Sequence, residues 1–174
     1  RISGAPSDAV TPGSYTYTLT TPGILCDSDT AVGTINVKAN STISLVTSNT
    51  NNQTVCDGED LVSMVFNIGG GAKGAIYTGI LPEGLDIYLD DPNNPTTATI
   101  SGTLNTGDSA TNIYDFTIIT TSNADKCDEA SVNATIIVDP KDSLTLTSAN
   151  QTTNQEVCAE SPITDITYEI GGNA

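Results

Sequence analysis

The stretch NNQTVCDGEDL (51–61) returns as TNQEVCAESPI (153–163), 102 residues further on. Asn, Gln, Val and Cys fall in register, and an apolar residue follows at the same distance. Self-similarity at a fixed period marks an array of repeated structural units. The cysteines keep the same period, with Cys26 and Cys127 101 residues apart and Cys56 and Cys158 102 apart. Around them, ISGAPSDAVTPGSYTYTL (2–19) parallels ISGTLNTGDSATNIYDFTI (100–118), and AVGTINV (31–37) parallels VNATIIV (132–138). STISLVTS (41–48) likewise parallels KDSLTLTS (141–148), and MVFNIGGGA (64–72) parallels ITYEIGGNA (166–174). The chain is expected to hold the tail of one repeat (1–40), a complete repeat (41–140) and the head of a third (141–174), as a piece of something larger.

Within the unit the apolar period is two, the period of a strand with one buried face. Tyr15, Tyr17 and Leu19 alternate with Thr16, Thr18 and Thr20, and Tyr114, Phe116 and Ile118 do the same one period later. Val62, Met64, Phe66 and Ile68 are expected on one face, and Ala134, Ile136 and Val138 line another strand. The separators GGGAKG, LPEG, DDPNNP, NTGD and SNAD are turn chemistry, and no capped helical pattern appears. Seven to nine short strands in about 100 residues predict an all-β fold, tandem immunoglobulin-like antiparallel sandwiches. Phe66, Tyr114, Phe116 and Ile136 are expected inside, with Gly84 and Gly102 in turns.

Twenty-one acidic residues stand against five basic ones, with no His and a formal charge of −16. With so few cations to neutralise phosphates, nucleic acid is a poor partner, and anionic membrane surfaces are disfavoured for the same reason. No apolar run approaches the length of a membrane span. A strongly negative surface keeps a protein soluble and apart from its copies.

LPEGL (81–85), followed by ISGT (100–103) and a Tyr-rich strand, resembles the bacterial putative-immunoglobulin repeat. The longer string, from NQTVC through ISG and GSYTYTLTT to a second Cys and GTINV, is similar to repeats of giant flavobacterial gliding-motility surface adhesins. The resemblance covers essentially the whole chain and departs at DIYLDDPNNPTTAT (86–99), which is longer and more acidic than the pattern. It implies export across the outer membrane, display on the bacterial surface, and a part in attachment and gliding. Neighbouring repeats are the expected partners, with surface polysaccharide or motility machinery beyond them. It also implies O-glycan acceptors in Asp–Ser/Thr–apolar triplets, at Thr30, Ser109 and Ser143.

Repeat-borne cysteines suggest disulfides in an exported protein. The favoured pairing is Cys56 with Cys127, closing a 71-residue loop, for which chain entropy gives roughly 4 kcal/mol. Cys26 and Cys158 would then have mates outside the chain. A second reading pairs Cys26 with Cys56 and Cys127 with Cys158. Zinc is disfavoured, because there is no Cys-x-x-Cys pair and no His.

The loop residues Asp86, Asp90, Asp91, Asn93 and Asn94 offer oxygens for calcium or a glycan. So do Asp57, Glu59 and Asp60, and Asp139 with Asp142 at the repeat junction. Calcium needs six to eight converging oxygens, and no stretch matches the EF-hand loop or the glycine-rich nonapeptide. Tyr77 and Tyr88 are the available sugar platform. No catalytic constellation is present, since there is no His for base work and no phosphate loop opening a helix. The expectation is a non-catalytic unit without a cofactor.

Overall fold

The computed structural model describes residues 1–7, 9–24, 27–122 and 127–172. Twelve strands follow in order: β1 (Gly13–Thr20), β2 (Thr30–Val37), β3 (Thr42–Leu45), β4 (Asn52–Cys56), β5 (Met64–Gly69) and β6 (Ala72–Gly79). After them come β7 (Leu85–Leu89), β8 (Thr97–Gly102), β9 (Asn112–Ser122), β10 (Ser131–Asp139), β11 (Ser143–Leu146) and β12 (Tyr168–Gly171). One 3₁₀ turn, Asn150–Thr153, is the only helical element among the described residues.

β3 to β10 build two four-stranded sheets, ordered β3-β5-β8-β7 and β4-β10-β9-β6. All neighbours are antiparallel except β4, which runs parallel to β10. The period-two pattern puts Met64, Phe66, Ile68, Ala98 and Ile100 of one sheet against Phe116, Ile118, Ala134, Ile136 and Val138 of the other, all buried. Each of the larger side chains gains roughly 1.5–3 kcal/mol from leaving water. The fold is an all-β antiparallel sandwich of immunoglobulin type.

One residue departs from the expected face. Val62 is 65 % exposed, while Leu61 is 5 % exposed and takes the inward place. β5 starts only at Met64, and Leu61 is turned inward by its N–H bond to the Gly102 carbonyl (3.0 Å). Gly84 and Gly102 have φ of +93° and +143° and abut each other. A Cβ on Gly84 would lie 2.0 Å from the Thr103 oxygen, and one on Gly102 2.1 Å from the Gly84 oxygen. Only glycine fits such a backbone crossing.

The flanking strands repeat parts of this pairing, and among the described residues neither pair has a second sheet against it. β1–β2 pairs Tyr15 with Ile35, Tyr17 with Gly33 and Leu19 with Ala31. β9–β10 pairs Tyr114 with Ile136, Phe116 with Ala134 and Ile118 with Val132. β11–β12 pairs Ser143 with Gly171 and Leu146 with Tyr168, as β3–β5 pairs Thr42 with Gly69 and Leu45 with Phe66.

Ser41, just ahead of β3, bonds to Asp128, just ahead of β10, so the chain enters the sandwich at the end where β10 begins and leaves where β10 stops. These ends are called the head and the foot below.

Candidate functional site at the two ends of the sandwich

At the head, residues 38–41 lead from β2 into β3 and are gripped by two hairpin loops. The Ser41 N–H donates to the Asp128 carbonyl (2.9 Å), and Asn40 Nδ2 donates to Asp128 Oδ2 (3.1 Å). The Asp128 N–H returns a bond to Asn40 Oδ1 (3.2 Å). From the β5–β6 turn, the Gly71 N–H donates to the Asn40 carbonyl (3.3 Å). A Cβ on Gly70 would fall 1.9 Å from that same oxygen, and Gly70 has φ of +67°. The sequence GGGA thus serves the approach of the incoming linker.

At the foot, β4 and β10 end side by side, and the Asp57 N–H donates to the Asp139 carbonyl (2.8 Å). Asp57 Oδ1 accepts from the Thr106 N–H (2.7 Å) and Thr106 Oγ1 (3.1 Å), and its Oδ2 accepts from the Gly107 N–H (3.2 Å). The Thr106 N–H bond is the main reason its carboxyl lies below the usual aspartate range. Tyr114 donates its hydroxyl to Asp108 Oδ2 (2.6 Å). That bond lowers the Asp108 carboxyl and raises the Tyr114 phenol. Thr103 donates to Asp60 Oδ1 (2.5 Å) and Thr111 to Asp139 Oδ1 (2.6 Å). These carboxylates cap the loops of the foot.

Beyond the foot, residues 140–142 reach β11 directly. Here Gly172, with φ of +93°, approaches closely enough that a Cβ would lie 2.8 Å from the Lys141 oxygen and 2.6 Å from the Asp142 Cα. The second linker is therefore approached by its glycine turn as the first is at Asn40.

The cysteines divide between these ends, which corrects the favoured pairing. Cys56 closes β4 and is opposite Asp139, the last residue of β10. Cys127 precedes β10 and adjoins Asp128, which is bonded to the head linker. The eight steps from Ser131 to Asp139 span roughly 26 Å at ~3.3 Å each. A disulfide needs Cα atoms within about 7 Å. Cys56 and Cys127 therefore do not bridge within one sandwich, and both are free, as is Cys158. Cys26 lies outside the described residues.

In the acidic loop the oxygens serve their own backbone. Asp90 Oδ2 accepts from Thr96 Oγ1 (2.5 Å) and Oδ1 from the Thr96 and Thr97 N–H groups (2.9 Å each). With the Thr96 hydroxyl as the largest cause, its carboxyl is lowered to about 2. Asp91 Oδ1 accepts from the Asn93 (2.8 Å) and Asn94 (3.3 Å) N–H groups. Asp86 Oδ1 accepts from the Ile87 N–H (2.8 Å), and Asn94 Oδ1 accepts from Lys73 Nζ (3.2 Å). Among the described residues no three carboxylates or thiols gather as metal ligands do. Tyr88 pairs with Thr99 on the outward row of one sheet, and Tyr77 pairs with the buried Ile118 of the other. Opposed placement of this kind does not make one platform.

Thr30 opens β2, Ser109 lies in the β8–β9 loop and Ser143 opens β11, all exposed. The Thr30 N–H donates to Asp29 Oδ1 (2.8 Å), and Asp108 is engaged by Tyr114.

No protein-family model and no curated protein matches the chain. Among solved structures, the protocadherin gammaB7 EC3-6 cis-dimer matches with 12 % identity and a TM-score of 0.42, over 90 % of this chain and 40 % of that one. Human CDH23 EC21-23 matches with 12 % identity and a TM-score of 0.42, over 93 % and 59 %. The endo-fucoidan hydrolase MfFcnA4 of glycoside hydrolase family 107 matches with 20 % identity and a TM-score of 0.29, over 74 % and 19 %. The chain thus spans less than two thirds of each of these structures. Likenesses at this level say nothing of activity or partners.

Proposed function

We propose that the chain is a stretch of mechanical stalk from a large secreted adhesin, displayed on the exterior of a bacterial outer membrane and serving attachment and gliding. The observation that carries this reading is the passage of the chain from head to foot. It enters at one end of the sandwich, leaves at the other, and crosses to the next strands in three or four residues. Short linkers held by glycine turns transmit direction better than flexible ones. The long strands β9 and β10, of 11 and 9 residues, make each unit some 30–40 Å long at ~3.3 Å per residue. Units in series carry a tip far from the cell, where polysaccharide or motility machinery is met.

The charge of −16 keeps neighbouring filaments apart, and glycans on Thr30, Ser109 and Ser143 shield loops and sheet edges. The unit has no catalytic role and takes no cofactor. The bacterial and gliding parts of the reading rest on the family resemblance.

Single-molecule pulling on the full-length protein, with its cysteines kept reduced, tests it. Equal unfolding steps are expected, each releasing about 100 residues, or roughly 300 Å of contour after the folded length is subtracted. Unequal or absent steps would overturn the stalk. A rival binding module at Asp86–Asn94 would show itself as a melting temperature that rises with added calcium or glycan. The stalk predicts no such rise.

A further inference from the structure

We infer that the cysteines clasp each joint of the array, Cys56 of one repeat bonding to the cysteine that occupies the place of Cys127 in the next. This rests on the stalk reading and adds a covalent partner to it. The register supplies the argument. Cys56 is at the foot, level with Asp139, and Cys127 is at the head, beside Asp128. The periods of 101 and 102 residues give every repeat one thiol at each end. Each joint then receives one thiol from the foot above it and one from the head below it.

The path between the two sulfurs is short. Cys56 is one strand spacing from Asp139, about 4.8 Å away. Three residues later comes Asp142, which precedes β11 as Ser41 precedes β3 in the strand register. In the complete repeat the N–H of Ser41 is bonded to Asp128, the neighbour of Cys127 (2.9 Å). Those steps sum to at most about 25 Å when fully extended, so the clasp requires the linker to bend at the joint. No bend inside one sandwich brings Cys56 to Cys127, because its ends are fixed by β10. The burial agrees. Cys56 is exposed and Cys127 is half-buried, so neither serves as a core residue.

The second pairing read from the sequence meets the same obstacle. Cys158 follows the third repeat's counterpart of β4, and so belongs to the foot of that repeat. Cys127 belongs to the head of the repeat before it.

Bond formation requires an oxidant, supplied by a disulfide donor of the dithiol-oxidase or oxidised-glutathione class. One cysteine thiolate attacks the donor disulfide and releases one donor thiol. The second thiolate then displaces the other. Two cysteine thiols and one donor disulfide become one cysteine disulfide and two donor thiols, with two electrons passed to the donor.

The test is a non-reducing peptide map of the full-length protein from its native cells, with free thiols alkylated before lysis. The Cys127 peptide is expected linked to an NQxVC-type peptide of the preceding repeat, and the Cys56 peptide to a β9–β10 loop peptide of the following one. A Cys127→Ser variant should release one thiol, in the preceding repeat, and leave Cys56 bonded. A Cys56–Cys127 or Cys127–Cys158 peptide, or alkylated thiols at both positions, would overturn the clasp while leaving the array standing. A full-length protein with no further repeats would overturn the stalk itself, and the clasp with it.

Discussion

Across β9–β10, Tyr114, Phe116 and Ile118 face Ile136, Ala134 and Val132; across β1–β2, Tyr15, Tyr17 and Leu19 face Ile35, Gly33 and Ala31. The pairing is the same and the surroundings are not. Phe116 is 3 % exposed and Ile118 0 %, whereas Tyr17 is 38 % and Leu19 53 % exposed. Alternation and turn chemistry suffice to set strand and register in both places. Burial, and with it most of the stability, requires a facing sheet, which β3, β5, β8 and β7 supply to β9–β10 and which the described residues do not supply to β1–β2.

The largest expected difference between the two ladders is a truncation in each. Phe116→Ala should cost 3–5 kcal/mol of the main urea transition, as large core truncations do. Tyr17→Ala should leave that transition within about 0.5 kcal/mol. Equal losses would mean that the two ladders share one core.

Backbone crossings come next. Gly102→Ala drives a Cβ to 2.1 Å from the Gly84 carbonyl oxygen in the sandwich. Gly33→Ala meets only the Tyr17 ring on the open ladder, at 2.4 Å, and that ring is free to swing away. The first should cost about 2 kcal/mol or more and the second should be nearly silent in thermal melts.

Smaller still is the loss of a phenol. Tyr114→Phe removes the donor to Asp108 and should cost about 1 kcal/mol. Tyr15→Phe removes a bond to the exposed Thr11 carbonyl (2.6 Å) and should cost less. The least effect is expected from acid. Asp90 is lowered to about 2 in the fold, against ~3.9 in an unfolded chain. Its contribution is therefore present above pH ~4 and is lost as pH falls toward 2. Asp90→Asn should lower the melting temperature slightly at pH 7 and flatten its decline between pH 4 and 2.

The class of fold could be read from particular residues, because a half-buried strand writes its faces into its sequence. Met64, Phe66 and Ile68, and likewise Ala134, Ile136 and Val138, are buried as their alternation requires. Val62 broke the pattern because β5 starts two residues later, and strand starts depend on long-range bonds such as Leu61 to Gly102.

The ends of the sandwich were less legible. Asn40 and Asp128 meet across 88 residues, and neither carries a local signal for the other. GGGA spells a turn, while the threading of the linker past Gly70 depends on the fold around it. The cysteine pairing failed for a related reason. Spacing gives the length of a loop but not the direction of a strand, and the parallel placement of β4 on β10 sends Cys56 to the end away from Cys127. The acidic loop had an unusual composition, and its carboxylates turn out to bond the N–H groups of their own turns.

β3 to β10 bury one core of their own, and the β1–β2 and β11–β12 ladders stand outside it. Amide hydrogen exchange on the 174-residue chain tests this separation most directly, because protection reports the cooperative unit to which each ladder belongs. The account predicts that the β9–β10 amides exchange only through global unfolding, while those of β1–β2 and β11–β12 exchange orders of magnitude faster despite the shared register. Equal protection in the paired ladders would contradict it.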